Sequence, residues 1–390
     1  MQTSASPSSG TQAPRLTRAL PGWTAAPPPG APRVIGVLPG EGVGPEVIQV
    51  GLDLLDEIAA ATGERFELRF GGAIGMAAQR ASGRVLTDEV VGFCRRVFDD
   101  GGAVLCGPGG GRFVYELRRQ FDLYCKLVPL QPVTALRDTG VLRPEAVEGA
   151  DILVIRENIG GLYLGEFGFD ELEGRRRAFH CFHYDEVQVA RILQVAVGAA
   201  RMRRGSLCVV TKPGGAPSIS ELWRSQAERL VLRGDVDLRL LEIDTACYQL
   251  VADARAFDVV VAPNMFGDVL ADGATLLLGS RGMSCSANFA DGGLAVYQTG
   301  HGAAHDLAGS DRANPIGQIH SVAMMLHESF DLPVLAAALR GAVESTLAAG
   351  WRTPDIAAPG CRVVGTRELG KQIAEALHER LSRSAAAVMA

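Results

Sequence analysis

No two cysteines of this chain form a CxxC pair, so the usual signature of a structural zinc site is missing. The eight that exist, Cys94, Cys106, Cys125, Cys181, Cys208, Cys247, Cys285 and Cys361, are scattered, most of them in apolar runs. That placement suits reduced core residues and a cytoplasmic protein. No run of about 18 apolar residues occurs, so no membrane-spanning helix is expected. There is no basic stripe either. The net charge is −6, and the run Arg175-Arg176-Arg177 reads as a short solvated loop or arm. Nucleic acid is therefore not an expected partner. There is no internal repeat. Residues 1–32 are rich in Pro, Ser, Ala and Thr and lack the apolar stretch of a secretory signal; they read as a disordered extension.

What is present is a chain of 390 residues, 47% hydrophobic, long enough for one large α/β unit or two lobes. The apolar run 34–38 leads into a glycine-rich turn and a helix opening at Pro45. Such a turn can cradle a phosphate or simply reverse the chain. Its spacing is not GxGxxG, which argues against a Rossmann fingerprint. Further strands are expected at 103–106, 152–155, 207–210 and 259–262, with helical patterns between them. Alternating β and α at this spacing predicts a mostly parallel sheet covered by helices, with functional loops at the strands' carboxyl ends. Polar candidates stand there: Arg156-Glu157-Asn158, Thr211-Lys212, and the segment 264–272.

Asp268 and Asp272 lie four residues apart, on one face if the segment is helical. Stacked carboxylates repel unless a hard cation such as Mg²⁺ lies between them; the alternative is a solvated pair. Asp244 is a third candidate. The loop 299–309, bearing His301, Gly302, His305 and Asp306, continues to Asn314 and an apolar helix. It suits a ribose and an adenine edge, or is a plain surface loop.

Five ordered blocks together resemble the β-decarboxylating dehydrogenases of the isocitrate/isopropylmalate type. They are Leu38-Pro39-Gly40-Glu41-Gly42-Val43-Gly44-Pro45-Glu46, Leu117-Arg118-Arg119-Gln120-Phe121-Asp122-Leu123-Tyr124, Arg156-Glu157-Asn158-Ile159-Gly160-Gly161-Leu162-Tyr163, the segment 264–272, and 301–315. The resemblance implies an α/β fold of two lobes sharing a large mixed sheet, not Rossmann. Residues 33–123 and 280–390 would form one lobe, and 124–279 a central lobe that makes the contact of a homodimer. It implies NAD and Mg²⁺ or Mn²⁺ as cofactors, and oxidation of a 2-hydroxy acid followed by loss of CO₂. By match, Asp268, Asp272 and Asp244 of a second copy would hold the metal. Lys212 would take the hydroxyl proton, with its pKa lowered beside the cation, and Tyr163 would return a proton to carbon. Arg118 and Arg156 would bind substrate. His301, Gly302, Asp306 and Asn314 would line the cofactor site, the acid at Asp306 favouring NAD over NADP.

The chain departs from that pattern where substrate would sit. Val128 replaces a substrate-binding arginine, and Lys126, on the same face if the segment is a strand, is a partial replacement. Arg112 stands where relatives carry serine or an apolar residue, and would meet an anionic group. Gln298 replaces a glutamate in what reads as the loop before His301. These changes point to a specialised substituted malate with an anionic γ group, such as phosphonomethylmalate. An ordinary isopropylmalate, isocitrate or tartrate dehydrogenase and a non-catalytic regulatory subunit are the alternatives.

Overall fold

The computed structural model describes residues 14–23, 30–137, 139–231 and 234–389, with side chains to residue 383. Twelve strands, the helices between them and a two-residue strand pair, Trp351–Arg352 with Arg362–Val363, account for most of it. In chain order the strands are β1 (Arg33–Leu38), β2 (Phe66–Phe70), β3 (Ala103–Cys106), β4 (Cys125–Leu130), β5 (Ile152–Glu157), β6 (Glu166–Leu172), β7 (Arg175–Cys181), β8 (Ser206–Thr211), β9 (Asp237–Glu242), β10 (Val259–Ala262), β11 (Cys285–Phe289) and β12 (Ala295–Thr299). Ten of them form one sheet in the order β2-β1-β3-β12-β11-β4-β5-β10-β8-β9. Strands β1, β3, β5 and β10 are buried along their whole length; β3 and β10 read as unbroken apolar runs, and β1 and β5 add only Arg33 and Arg156-Glu157 to theirs.

The sheet is mixed. Its two outer thirds are parallel, as βαβ spacing predicts. At the centre β11 runs against both β12 and β4, and β4 runs against β5. The sheet thus joins strands from both ends of the chain to strands drawn from residues 125–262. Across the antiparallel centre, Lys126 is opposite Arg156 on one side and Asn288 on the other. Opposed residues share a face, so the register itself brings Lys126 to Arg156.

The glycine-rich turn after β1 is a tight reversal rather than a cradle. Its amides are taken by the protein: Glu41 donates to the Pro108 carbonyl, Val43 to Ala303 and Gly44 to Glu41. Gly42, at φ +59°, lies so close to the 300–309 loop that a Cβ would sit 1.9 Å from the Ala303 oxygen. The turn therefore seats that loop. The Glu41 carboxylate accepts from the amides of Met76, Ala77 and Gly110, at 2.9, 2.6 and 2.7 Å, and fixes the Gly109–111 segment.

Two expectations need correction. Arg175-Arg176-Arg177 is not a loop: it lies in β7, which pairs with β6 as an exposed two-stranded hairpin. Residues 14–23, expected to be unstructured, pack on the body of the protein. The amides of Leu16 and Thr17 and the Thr17 hydroxyl all donate to the Glu328 carboxylate, at 3.2, 2.9 and 2.8 Å. Arg15 donates to the Glu328 carbonyl and pairs with Asp331. Leu20 enters the core and the Trp23 ring meets Phe289 edge-on at 5.4 Å. A buried carboxylate needs donors, and this polar segment supplies them.

Candidate active site

The segment 264–272 is helical, within the helix Asn264–Ala274. Asp268 and Asp272 therefore stand on one face, one turn apart. Gly267 lets this helix lie against β5: a Cβ there would meet the Arg156 side chain at 2.8 Å. Arg156 is almost fully buried. Its Nε donates to Asn264 Oδ1 at 2.9 Å, and Nη1 makes a close ion pair with Asp268. Asn264 is held in turn by its own amide on the Tyr184 hydroxyl, at 2.9 Å, and by its Nδ2 on the Gly160 carbonyl, at 2.8 Å.

Arg118 and Lys126 complete a cationic floor. Arg118 is buried on the short helix Phe113–Gln120; burial and the nearby Arg156 lower its pKa to about 9. Lys126 is pushed further, to about 7, by burial and then by Arg118 and Arg156, with Asp268 and Asp272 acting the other way. The segment 125–130 is a strand, so Lys126 and Val128 do share a face. Val128 lies in the core opposite Val154, whereas Lys126 reaches the charged cluster. Arg118 Nε and Arg156 Nη2 are buried and have no hydrogen-bond partner among the described residues. Such N–H groups are costly unless an acceptor arrives.

Tyr163 closes one side. Its pKa is raised to about 12 by burial and by Asp268, which accepts a hydrogen bond from its hydroxyl. Its ring lies 5.5 Å from that of Tyr115 and 5.5 Å from the Arg156 guanidinium carbon. Arg112 donates to the Tyr163 carbonyl at 3.0 Å and stacks on the rings of Tyr115 and Phe167. Tyr115 thus lies between Arg112 and Arg118, spaced by three residues each way along one helix face. Sequence reasoning singled out both arginines and missed the tyrosine between them.

Lys212 and Asp244 form a second, separate cluster. Lys212 Nζ donates to Glu242 Oε2 at 2.7 Å and Asp244 Oδ2 at 3.1 Å. These two carboxylates raise its pKa. Asp272 is paired with Arg281 at 2.7 Å. Among the described residues no three acidic, histidine or cysteine side chains are gathered as a metal set. Asp268 and Asp272 supply two hard oxygen donors on one face, which suits Mg²⁺ or Mn²⁺ provided further oxygens come from outside the chain. Lysine occurs at only three positions, 126, 212 and 371, and two of them are in these clusters.

The cofactor candidates adjoin the first cluster through Arg281, which pairs with Asp272 and whose charge acts on His301. His301 is partly buried; burial lowers its pKa, and its Nδ1 is 2.8 Å from the Gly302 carbonyl oxygen. Gly302 and Asp306 are exposed, and Ala304 is left-handed at φ +41°. Asn314 is buried, its Nδ2 on Asp355 at 3.1 Å and its Oδ1 accepting from the Ile316 amide at 3.0 Å. Gln298 lies in strand β12, not in the loop, and its Oε1 accepts from Asn288. Glu157 has no predicted role. It is buried and accepts from the amides of Ile159 and Gly160 and from the Tyr184 hydroxyl, which braces the loop leading to Tyr163.

Solved structures with this architecture include the isocitrate dehydrogenase of Methylococcus capsulatus. It is 28% identical with a TM-score of 0.77, over 90% of this chain and 99% of that one. Another is the TT0538 protein of Thermus thermophilus, 26% identical with a TM-score of 0.77, over 88% of this chain and 68% of that one. Among curated proteins, the chain is 40% identical to a 3-isopropylmalate dehydrogenase of Gloeobacter violaceus, over 87% of this chain and 96% of the relative. It is 39% identical to that of Aquifex aeolicus, over 89% and 97%. Residues 34–373 match the family described as isocitrate/isopropylmalate dehydrogenase, and the chain belongs to that family.

Proposed function

We propose that this protein is an NAD- and divalent-metal-dependent dehydrogenase that oxidises a substituted malate at its hydroxyl and releases the β-carboxylate as CO₂. The observation that carries the reading is the cationic floor. Arg118 and Arg156 keep buried, unpartnered N–H groups, and Lys126 lies beside them. A dicarboxylic acid supplies the missing acceptors. In this reading Arg118, Arg156 and Lys126 take the two malate carboxylates, and Lys126 stands in for the arginine replaced by Val128. Tyr163, a phenol that holds its proton at neutral pH, returns one to carbon after CO₂ leaves.

Asp268 and Asp272 would hold the metal with Asp244 of a second copy, and Lys212 of that copy would accept the hydroxyl proton. Bound there, the cation would acidify the hydroxyl and favour electron pairs on oxygen. Support for a homodimer with shared sites comes from the surface around these carboxylates. Tyr248 lies one turn beyond Asp244 and is 75% exposed; Val269 follows Asp268 and is 51% exposed. Phe167 and Phe169 are exposed on the hairpin. Apolar side chains in these places suit burial against a second chain.

Asp306, exposed on the 300–309 loop, supports NAD through a hydrogen bond to the adenosine ribose and repulsion of a 2′-phosphate. An anionic γ group, such as that of phosphonomethylmalate, is supported by Arg112. A guanidinium has five N–H donors, and the Tyr163 carbonyl takes only one of its nitrogens here. The second reading is an ordinary isopropylmalate dehydrogenase, favoured by the relatives of that name.

A panel of hydroxy acids, assayed for NADH with Mg²⁺, tests the proposal. It should include isopropylmalate, isocitrate, homoisocitrate, tartrate, malate and 2-phosphonomethylmalate. Turnover of an anionic member that Arg112→Ala selectively loses supports the γ-anion reading. Best turnover of isopropylmalate, improved by Val128→Arg, supports the second. Turnover of none, with NAD and Mn²⁺ bound, sinks both named substrates and leaves a substrate outside the panel or a non-catalytic subunit.

A further inference from the structure

A cavity of about 140 Å³ lies away from the groups described above. It is walled by Pro129, Val133, Leu278, Met283 and Met324, with Cys285, His320, Arg340 and Glu344 among its polar and sulfur-bearing lining. None of the Arg156 cluster lines it, and the Met283 sulfur, 3.5 Å from Asn314 Nδ2, links it to the 300–314 segment. Two of its side chains are bases without a visible role. Arg340 is partly buried and has no hydrogen bond or ion pair with any described residue, although Glu344 follows it by one helical turn. Burial lowers its pKa, with Cys285, Glu328 and Glu344 acting the other way. His320 is also partly buried. Burial and the adjacent Arg340 lower its pKa to about 4, so it is a neutral imidazole at pH 7 with one N–H to donate.

An incoming anion can accept charge-assisted hydrogen bonds from Arg340, which lines the cavity with no partner on its guanidinium among the described residues. A neutral imidazole next to it adds a second donor to the same acceptor. Neither explains the rest of the cavity. Glu344, exposed at the rim, would repel a plain anion but would pair with a cation. Gln131 also lines the cavity, its amide nitrogen donating to Asp151 at 2.9 Å, and the walls that remain are aliphatic, thioether or thiol. A cavity near 150 Å³ accepts a benzene-sized body, so an isobutyl or thioether side chain fits. Arg340 and Glu344, at i and i+4, are neighbours on one helix face, close enough for a carboxylate and an ammonium on adjacent atoms.

We propose that this cavity binds a free α-amino acid with a medium-sized apolar side chain. Its carboxylate rests on Arg340 and His320, its ammonium on Glu344, and its side chain against Leu278, Met283 and Met324. The site is separate from the proposed catalytic groups and does not depend on their assignment. The test is calorimetric titration of the full-length protein with L-leucine, isovalerate, isoamylamine and inorganic phosphate, without substrate. Leucine should bind saturably, and isovalerate and isoamylamine, each lacking one charge, at least about tenfold more weakly. Arg340→Met and the rim variant Glu344→Gln should each weaken leucine by a similar factor while leaving NAD binding unchanged. Absence of leucine binding overturns the proposal. So does leucine binding that Arg340→Met and Glu344→Gln leave intact, or isovalerate or phosphate binding as well as leucine.

Discussion

Replacing Lys126 with methionine keeps the stem and removes the charge, and the structure dictates how the result depends on pH. Burial with Arg118 and Arg156 lowers the lysine from 10.5 to about 7 in the folded chain. Between these values the unfolded chain binds the proton and the folded chain does not, so stability rises with pH through that window. Below about 7 both states are protonated, and the folded state carries the full cost of a third cation in the cluster. At about 1.4 kcal/mol per pH unit between the two values, that cost reaches at most roughly 5 kcal/mol. It falls by roughly 2–3 kcal/mol between about pH 6 and pH 9. Metal-free Lys126→Met should therefore be more stable than the parent in urea at about pH 6, and the advantage should shrink by about 2 kcal/mol at about pH 9. The same variant should bind the hydroxy-acid substrate more weakly, raising KM more than it lowers kcat. A stability difference that is flat with pH, or a variant less stable than the parent at about pH 6, would refute the assignment of Lys126 to the cationic floor.

Other consequences are open to measurement. Thr17→Val removes the hydroxyl donor from Glu328 and should cost about 1–3 kcal/mol in urea unfolding. Burial alone would raise the Glu328 pKa, but His327 and the Thr17 groups outweigh it and hold it low. The stabilisation from residues 14–23 should therefore be present above the ordinary carboxylate range and fade as pH falls below it. Tyr163→Phe should lower kcat by about 10²-fold or more with a smaller change in KM, because it removes the proposed proton donor and spares the cations. Asp306→Lys should shift the ratio of kcat/KM for NAD over NADP toward NADP, and an unchanged ratio would remove Asp306 from the ribose site.

The strands 103–106 and 259–262 were legible because buried parallel strands are unbroken apolar runs, and their ends match the sequence reading. The antiparallel centre was not, since a short apolar run carries no sign of its direction; β4 and β11 acquire theirs from their neighbours. Strand alternation did place Lys126 and Val128 on one face, but not the register that sets Lys126 against Arg156. Residues 14–23 look disordered by composition because their partner, Glu328, is more than 300 positions away. Tyr115 was readable in principle: Arg112, Tyr115 and Arg118 are spaced by three, the interval at which helix side chains meet. The Lys212–Asp244 pairing depends on two strands and a helix meeting at the sheet's edge, which no local pattern encodes.

The central claim is one catalytic site assembled from two copies of the chain, and complementation between two inactive variants tests it most directly. Lys212→Met and Asp268→Asn should each abolish turnover as homodimers. In a mixed dimer one site would hold an intact Lys212 from one chain and an intact Asp268 from the other. Random mixing of unfolded chains followed by refolding should then restore about a quarter of parental activity, since half the dimers are mixed and each has one intact site. Mixed dimers that form but remain inactive would contradict the account, because Lys212 and Asp268 would then have to act within the same chain.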